Sequence, residues 1–203
     1  MLDLSRLEKL SFEELKKYLL ENPNEVNIDI DGEGGRILDY AGWWNYYELA
    51  YFLITELKVD IHRQDKDGTT ALYTTICAGV DSIDIAKLLL DNGANINEKD
   101  NEGGSLLHLA VSGISIECPE DKNLKMLNFL VENGAEINVQ NNKGDTPLHL
   151  AIEAITERCL NDMKMVELLL KLGASINIKN NKGISSLDMV IKNNNIKIIK
   201  NFK

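Results

Sequence analysis

The chain repeats itself, and that limits its fold more than any other feature. Four stretches align without gaps: DKDGTTALYTT (65–75), DNEGGSLLHLA (100–110), NNKGDTPLHLA (141–151) and NNKGISSLDMV (180–190). A looser copy, DGEGGRILDYA, occupies 31–41. One glycine marks each copy (Gly34, Gly68, Gly103, Gly144, Gly183), at spacings of 34, 35, 41 and 39 residues. A second block follows the middle three: LLLDNGANIN (88–97), FLVENGAEIN (129–138) and LLLKLGASIN (168–177). FLITELKVDIH (52–62) is its degenerate form after the first copy. A unit this short cannot bury its own apolar face, so the copies must stack on one another.

Each unit has a physical reading. Asp or Asn followed closely by Gly makes a tight turn, because Gly accepts positive φ and Asx side chains bond their own backbone. The Thr or Ser two residues after that glycine is a helix N-cap, and Pro147 is suited to the first helical position. Leu148 and Ala151 then fall on one stripe of a short first helix. The leucine-rich block predicts a second helix that stops at Asn-Gly or Leu-Gly, a C-cap signal. The residues after it cross back to the next turn.

GDTPLHLA, with LLLKLGASIN in the same unit, resembles the ankyrin repeat, whose signature is T-P-L-H-x-A at a period near 33. The resemblance runs from about residue 31 to the C-terminus. It implies an all-α fold: an ankyrin-repeat α-solenoid of about five helix-turn-helix units with hairpin-like turns. The units expected are 31–64, 65–99, 100–140 and 141–179, with a C-terminal capping repeat at 180–203. Residues 12–27 (FEELKKYLLENPNEVN) match only a second helix and crossover, so 1–30 reads as an N-terminal half-cap. The resemblance also implies a structural role for the motif histidine, here His108 and His149. Asp39, Tyr73 and Asp188 replace it in the other units. The longer spacings place insertions around 112–123 and 155–162, between the two helices of adjacent units. Such insertions are either tolerated surface loops or candidates for specific function.

Charge limits the partners. The 203-residue chain has a formal net charge of −10, which argues against nucleic acid or an anionic membrane as the main ligand. Residues 1–121 hold 24 acidic and 10 basic residues (−14), and 122–203 hold 8 and 12 (+4). An acidic half steers a basic protein partner. No apolar run is long enough to span a bilayer, and the start MLDLSRLEKL lacks the apolar core of a leader, so a cytoplasmic address is expected. Three cysteines (Cys77, Cys118, Cys159), without CxxC spacing, fit unpaired thiols, a Cys118–Cys159 disulfide being the alternative.

Catalysis finds little support. There is no Gly-rich phosphate loop, and no Cys/His constellation is in evidence. Equivalent positions in adjacent units lie roughly 10 Å apart, the spacing of packed helices, which is too far for His108 and His149 to share one zinc. No cofactor and no metal are expected.

A non-catalytic, monomeric protein-binding module is therefore the reading. In the ankyrin architecture the turn tips and the exposed ends of the first helices meet partners. The tips here are Asp31, Glu33, Lys66, Asp67, Asn101, Glu102, Asn142 and Lys143, running from acidic to mildly basic. The end of the first helix of the first unit carries AGWWNYY (41–47), with both tryptophans of the chain. Adjacent helical residues point about 100° apart, so Trp43 and Trp44 do not share one core stripe. With Tyr46 and Tyr47 they form a candidate hot spot; the rival expectation folds one tryptophan under the cap near Phe12, Leu15 or Leu19. Specific roles include an immunity or antitoxin protein masking a basic toxin, a secreted effector or host-range protein, and a scaffold or regulator. A hydrolase or metal enzyme is the alternative from another class.

Overall fold

The computed structural model describes residues 3–112, 120–157 and 163–192. The insertions expected around 112–123 and 155–162 fall largely outside these residues, as do Cys118, Cys159 and the end IKIIKNFK. The described part is helical, and its only extended pairings are two isolated bridges, Lys99–Ser105 and Lys179–Ser185. Backbone packing divides the chain into two compact units, Met1–Asn95 and Ile96–Lys203.

The first unit opens with α1 (Leu4–Leu7) and α2 (Phe12–Glu21). Helix α2 starts at a reciprocal cap: Ser11 Oγ accepts from the Glu14 N–H at 3.3 Å, and Glu14 accepts from the Ser11 N–H at 2.9 Å. Leu15 and Leu19 are its buried face. Next come α3 (Ile37–Trp43) and α4 (Tyr47–Tyr51), which runs on into a π-helical turn, Phe52–Glu56. The pair α5 (Ala71–Cys77) and α6 (Ile83–Asp91) completes the unit. First helix packs on first helix (α3 on α5) and second on second (α4 on α6), so Ile37, Leu49, Leu53, Leu72, Ile76, Ile85 and Leu89 form one core. Burying each such side chain is worth about 1.5–3 kcal/mol.

Helix α3 packs on α5 through Gly42. A Cβ there would lie 2.2 Å from Thr75 Oγ1, so only hydrogen fits. The helix ends where Asn45 takes a left-handed conformation at φ 53°, and the Tyr46 N–H returns to the Ala41 carbonyl at 2.8 Å.

The second unit contains α7 (Leu106–Ser112), α8 (Glu120–Glu132), α9 (Pro147–Glu157), α10 (Met163–Lys171) and α11 (Ser186–Lys192). Here α7 packs on α9, α9 on α11 and α8 on α10. Side chains stitch the crossovers at a regular interval. Asn97 donates to the Gly134 carbonyl at 3.1 Å and accepts from the Glu136 N–H at 2.8 Å. Asn138 repeats this one unit on, with the Gly173 carbonyl (3.3 Å) and the Ser175 N–H (2.7 Å). At the turn tips, Asn142 donates to the Asn101 carbonyl and Asn181 to the Asn142 carbonyl. A Cβ on Gly103 would stand 2.5 Å from Asn142 Oδ1, and one on Gly144 would stand 2.6 Å from the Asn181 nitrogen. Glycine is thus required at these tips by close approach as well as by φ of 74° and 77°.

Candidate protein-binding face

The histidines sit where the stacking needs them. The Ser105 N–H points at His108 Nδ1 (3.2 Å) and the Thr146 N–H at His149 Nδ1 (3.1 Å), so both Nδ1 atoms are acceptors. Both rings therefore carry their proton on Nε2. His108 Nε2 donates to the Asp145 carbonyl at 2.8 Å, and His149 Nε2 to the Ile184 carbonyl at 3.2 Å. Each neutral ring joins its own helix start to the turn of the next unit. Burial holds His108 below the usual histidine pKa. With both nitrogens of both rings engaged, neither ring has a position for a metal. Among the described residues no group of three His, Cys, Asp or Glu side chains converges on a possible ion. Cys77 is half-buried, and burial pushes its thiol up to about 11, the opposite of an activated nucleophile.

The first unit solves the same joint differently. Arg36 stands at the cap position and Asp39 at the histidine position, and both are buried. Asp39 accepts from the Arg36 backbone N–H (2.8 Å), Nε (3.1 Å) and Nη2 (3.0 Å). The guanidinium reaches on to the Asp60 (3.1 Å) and Arg63 (2.8 Å) carbonyls. Asp39 is thus a carboxylate held out of water, unlike those at the turn tips. Burial pushes its carboxyl up, against the pull of Arg36.

Both tryptophans are exposed, Trp43 at 54% and Trp44 at 39%. The cap takes Tyr46 instead: the Phe12 ring lies 6.0 Å from Tyr46 and 6.2 Å from Phe52. The two indoles differ in setting. Trp44 packs on Tyr40 at 5.1 Å and edges a hollow of about 270 Å³ beside Leu7, Leu10 and Leu15. Trp43 has no ring or cation against it among the described residues. It walls a second hollow, of about 330 Å³, together with Asp31, Asp39, Tyr40, Asp65 and Thr74. Tyr47 opens α4, is exposed, and stacks on the exposed Tyr51 at 6.2 Å.

Asp31, Glu33, Lys66, Asp67, Asn101, Glu102, Asn142 and Lys143 are all exposed at turn tips. Some also serve the fold. Lys66 pairs with Glu33 at 3.2 Å and bonds the Gly32 carbonyl. Asn142 is engaged as described above. Asp31 accepts from the Glu33 N–H (2.7 Å), the Gly35 N–H (3.0 Å) and the Tyr40 hydroxyl (2.9 Å). Burial works against its ionisation, but these bonds outweigh it and lower its carboxyl below the ordinary value. Burial and the Asp31 carboxylate push Tyr40 up to about 12. Sequence reasoning missed Tyr40, Asp65 and Tyr51. A helical signal was available: Tyr40 lies four residues before Trp44 and Tyr51 four after Tyr47.

Residues 53–119 and 114–202 match the ankyrin repeats family, in three copies. The chain belongs to the ankyrin repeat family, and its repeats mark it as a protein-interaction module of a typically non-catalytic kind. It is 37% identical over 112 residues to an ankyrin repeat domain-containing protein of Monkeypox virus, covering 53% of this chain and 24% of that one. It is 36% identical over 81 residues to the transient receptor potential cation channel subfamily A member 1 of Homo sapiens, covering 40% and 7%. To alpha-latrocrustotoxin-Lt1a of Latrodectus tredecimguttatus it is 28% identical over 93 residues, covering 46% and 6%. The chain thus spans a quarter or less of the length of these relatives. No described helix is long and apolar enough to cross a membrane.

Proposed function

We propose that the protein binds a protein partner stoichiometrically, without catalysis, and that the first unit supplies the main contact through Trp43, Trp44 and the acidic tips Asp31, Glu33 and Asp67. One observation carries this reading: two adjacent tryptophans stand exposed at the end of a first helix, while a tyrosine fills the place under the cap. Exposed tryptophan is costly to leave in water and is among the residue types most enriched in hot spots. The first unit holds 18 acidic and 9 basic residues, a net −9, which favours a partner with a basic surface. A basic toxin masked by an immunity-type protein has the matching chemistry. Its test is genetic: a toxin gene beside this one, and rescue of growth on co-expression. The similarity to a Monkeypox virus protein favours a second reading, an effector or host-range protein whose partner belongs to a host.

The direct test is a partner purified from the source cell and titrated against the wild type and the Trp43→Ala, Trp44→Ala double variant. Binding should fall roughly a hundredfold or more, since hot-spot truncations each cost about 2 kcal/mol or more. Thermal unfolding should stay near that of the wild type, because both side chains are exposed. Undiminished binding by the double variant overturns the reading.

A further inference from the structure

We propose that the hollow beside Trp43 is a socket for an arginine side chain of the partner, its guanidinium lying on the Trp43 indole and bonding Asp31 and Asp65. This rests on the reading that the first unit is the binding face. It adds the chemical identity of the group received.

Three features of the hollow select this occupant. The first is size. At about 330 Å³ it lies at the small end of ligand pockets, which run from roughly 300 to 1,000 Å³, so it suits one long side chain rather than a folded ligand. The second is charge. Asp39 is neutralised by Arg36 behind it, but among the described residues Asp31 and Asp65 have no lysine or arginine partner. Their turns adjoin: a Cβ on Gly34 would lie 3.1 Å from the Asp65 Cα. Asp65 accepts from the Asp67 N–H (3.0 Å), the Thr69 N–H (2.8 Å) and the Thr69 hydroxyl (2.6 Å). A carboxylate offers about four acceptor positions. Donors take three on Asp31 and three on Asp65; the Asp31 carboxyl also meets that of Asp29, so an incoming cation finds two carboxyl groups there, while Asp65 keeps one position open without breaking its turn.

The third feature is the indole. Trp43 is about half exposed, has no ring or cation against it among the described residues, and lines the hollow with two carboxylates. An apolar occupant would bury those carboxylates without compensation, which is costly. An anion is repelled. A metal ion needs oxygens turned toward a common point, and among the described residues no group of three His, Cys, Asp or Glu side chains converges on one. A planar cation satisfies the ring and the carboxylates together. Arginine does so better than lysine, since its fork donates to two acceptors while its plane lies on the ring.

The test needs no identified partner. The chain has two tryptophans, so its nitrogen–proton spectrum has two indole signals, assigned with Trp43→Phe and Trp44→Phe. The full chain is titrated with a blocked Gly-Gly-Arg-Gly-Gly peptide, its citrulline counterpart (the same shape without charge) and its lysine counterpart. The Trp43 signal should shift saturably with the arginine peptide, roughly fivefold or more tightly than with citrulline, as expected for a cation–π contact beside carboxylates. The Trp44 signal should move little. In Asp31→Asn, Asp65→Asn, which keeps the Oδ1 acceptor of each turn, the arginine response should fall to the citrulline level while the two indole shifts of the free protein are retained.

Equal responses to arginine and citrulline, a response centred on Trp44, or no saturable shift overturns the socket. A lysine response equal to or stronger than arginine overturns the choice of guanidinium. Failure here alongside loss of partner binding in Trp43→Ala, Trp44→Ala removes the socket and leaves the binding face. Undiminished partner binding by that double variant removes the face whatever the peptide does.

Discussion

The two units use different means for the same task, and the contrast separates what repeats demand from what one repeat does alone. In the second unit the joint between neighbours is periodic and neutral. His108 and His149 reach across from equivalent places, and Asn97 and Asn138 tie the crossovers in equivalent pairs. In the first unit the joint is a buried ion pair, the second helix ends in a π turn, and the exposed aromatic side chains cluster. Charge follows the same division: net −9 for residues 1–95 against −1 for 96–203. Where residues recur they stack the fold. The departures gather in the unit that carries the exposed tryptophans.

The largest expected effect tests whether Arg36–Asp39 truly stands in for the histidine joint. Arg36→Ala leaves a buried carboxylate and two unmet carbonyls, and breaking such a pair costs on the order of 3–5 kcal/mol. Denaturant unfolding should show that loss, or the first unit should fail to fold. Arg36→Thr with Asp39→His rebuilds the cap and histidine of the second unit, with a neutral bridge toward the same turn, and should recover more than half of the lost stability. No recovery would mean that the Asp60 and Arg63 carbonyls are placed for a guanidinium alone, and the two joints would then not be equivalent.

A middle-sized effect lies in the second unit. His108→Ala leaves the Ser105 N–H and the Asp145 carbonyl without their partner, at roughly 1–3 kcal/mol. The same histidine gives a pH signature. Burial lowers its folded pKa below 6.5, so the unfolded chain takes up the proton first as pH falls. The stabilisation is therefore full above about pH 6.5 and is lost as pH drops toward the folded value. Unfolding free energies at neutral pH and near pH 5 should differ less in His108→Ala than in the wild type. An unchanged difference would assign the pH dependence to other groups.

Much of this architecture can be read from residue order, for a physical reason. Cap, turn and C-cap chemistry acts over three or four residues, so Thr70, Pro147 and the glycine turns announce their roles locally. The apolar stripes do the same through helical spacing. What could not be read depends on partners far along the chain. Arg36 looks like a weak cap until the carbonyls of Asp60 and Arg63 come within reach. Asp65 looks like a turn residue until Trp43 stands beside it. The recurring IN of ANIN, AEIN and ASIN was a visible signal for the Asn97 and Asn138 ties, although its purpose appears only across a gap of 35 to 39 residues.

The smallest effect concerns a single backbone angle. In the second and later second helices the chain turns out through Gly93, Gly134 and Gly173, at φ of 99°, 92° and 97°. The next residue's N–H then bonds back five residues, as from Ala94 to Leu89 at 2.9 Å and from Ala135 to Leu130 at 3.0 Å. In the first repeat, 31–64, Lys58 holds this place at φ 53°, and the Val59 N–H bonds back six residues, to Leu53, at 3.2 Å. One extra residue has entered the helix end, and the π turn Phe52–Glu56 absorbs it. The count was visible in the sequence, since Lys58 precedes Asp65 by the same seven residues that separate Gly93 from Asp100. A non-glycine residue in the left-handed region carries strain of roughly 1–2 kcal/mol, offset in part by the freedom glycine loses on folding. Lys58→Gly should therefore raise the unfolding free energy by a net of about 0.5–1 kcal/mol, read as a higher denaturant midpoint at unchanged slope. A fall in the midpoint would show that the lysine stem, rather than the turn, holds this helix end, and the first repeat would then differ from the others in packing as well as in length.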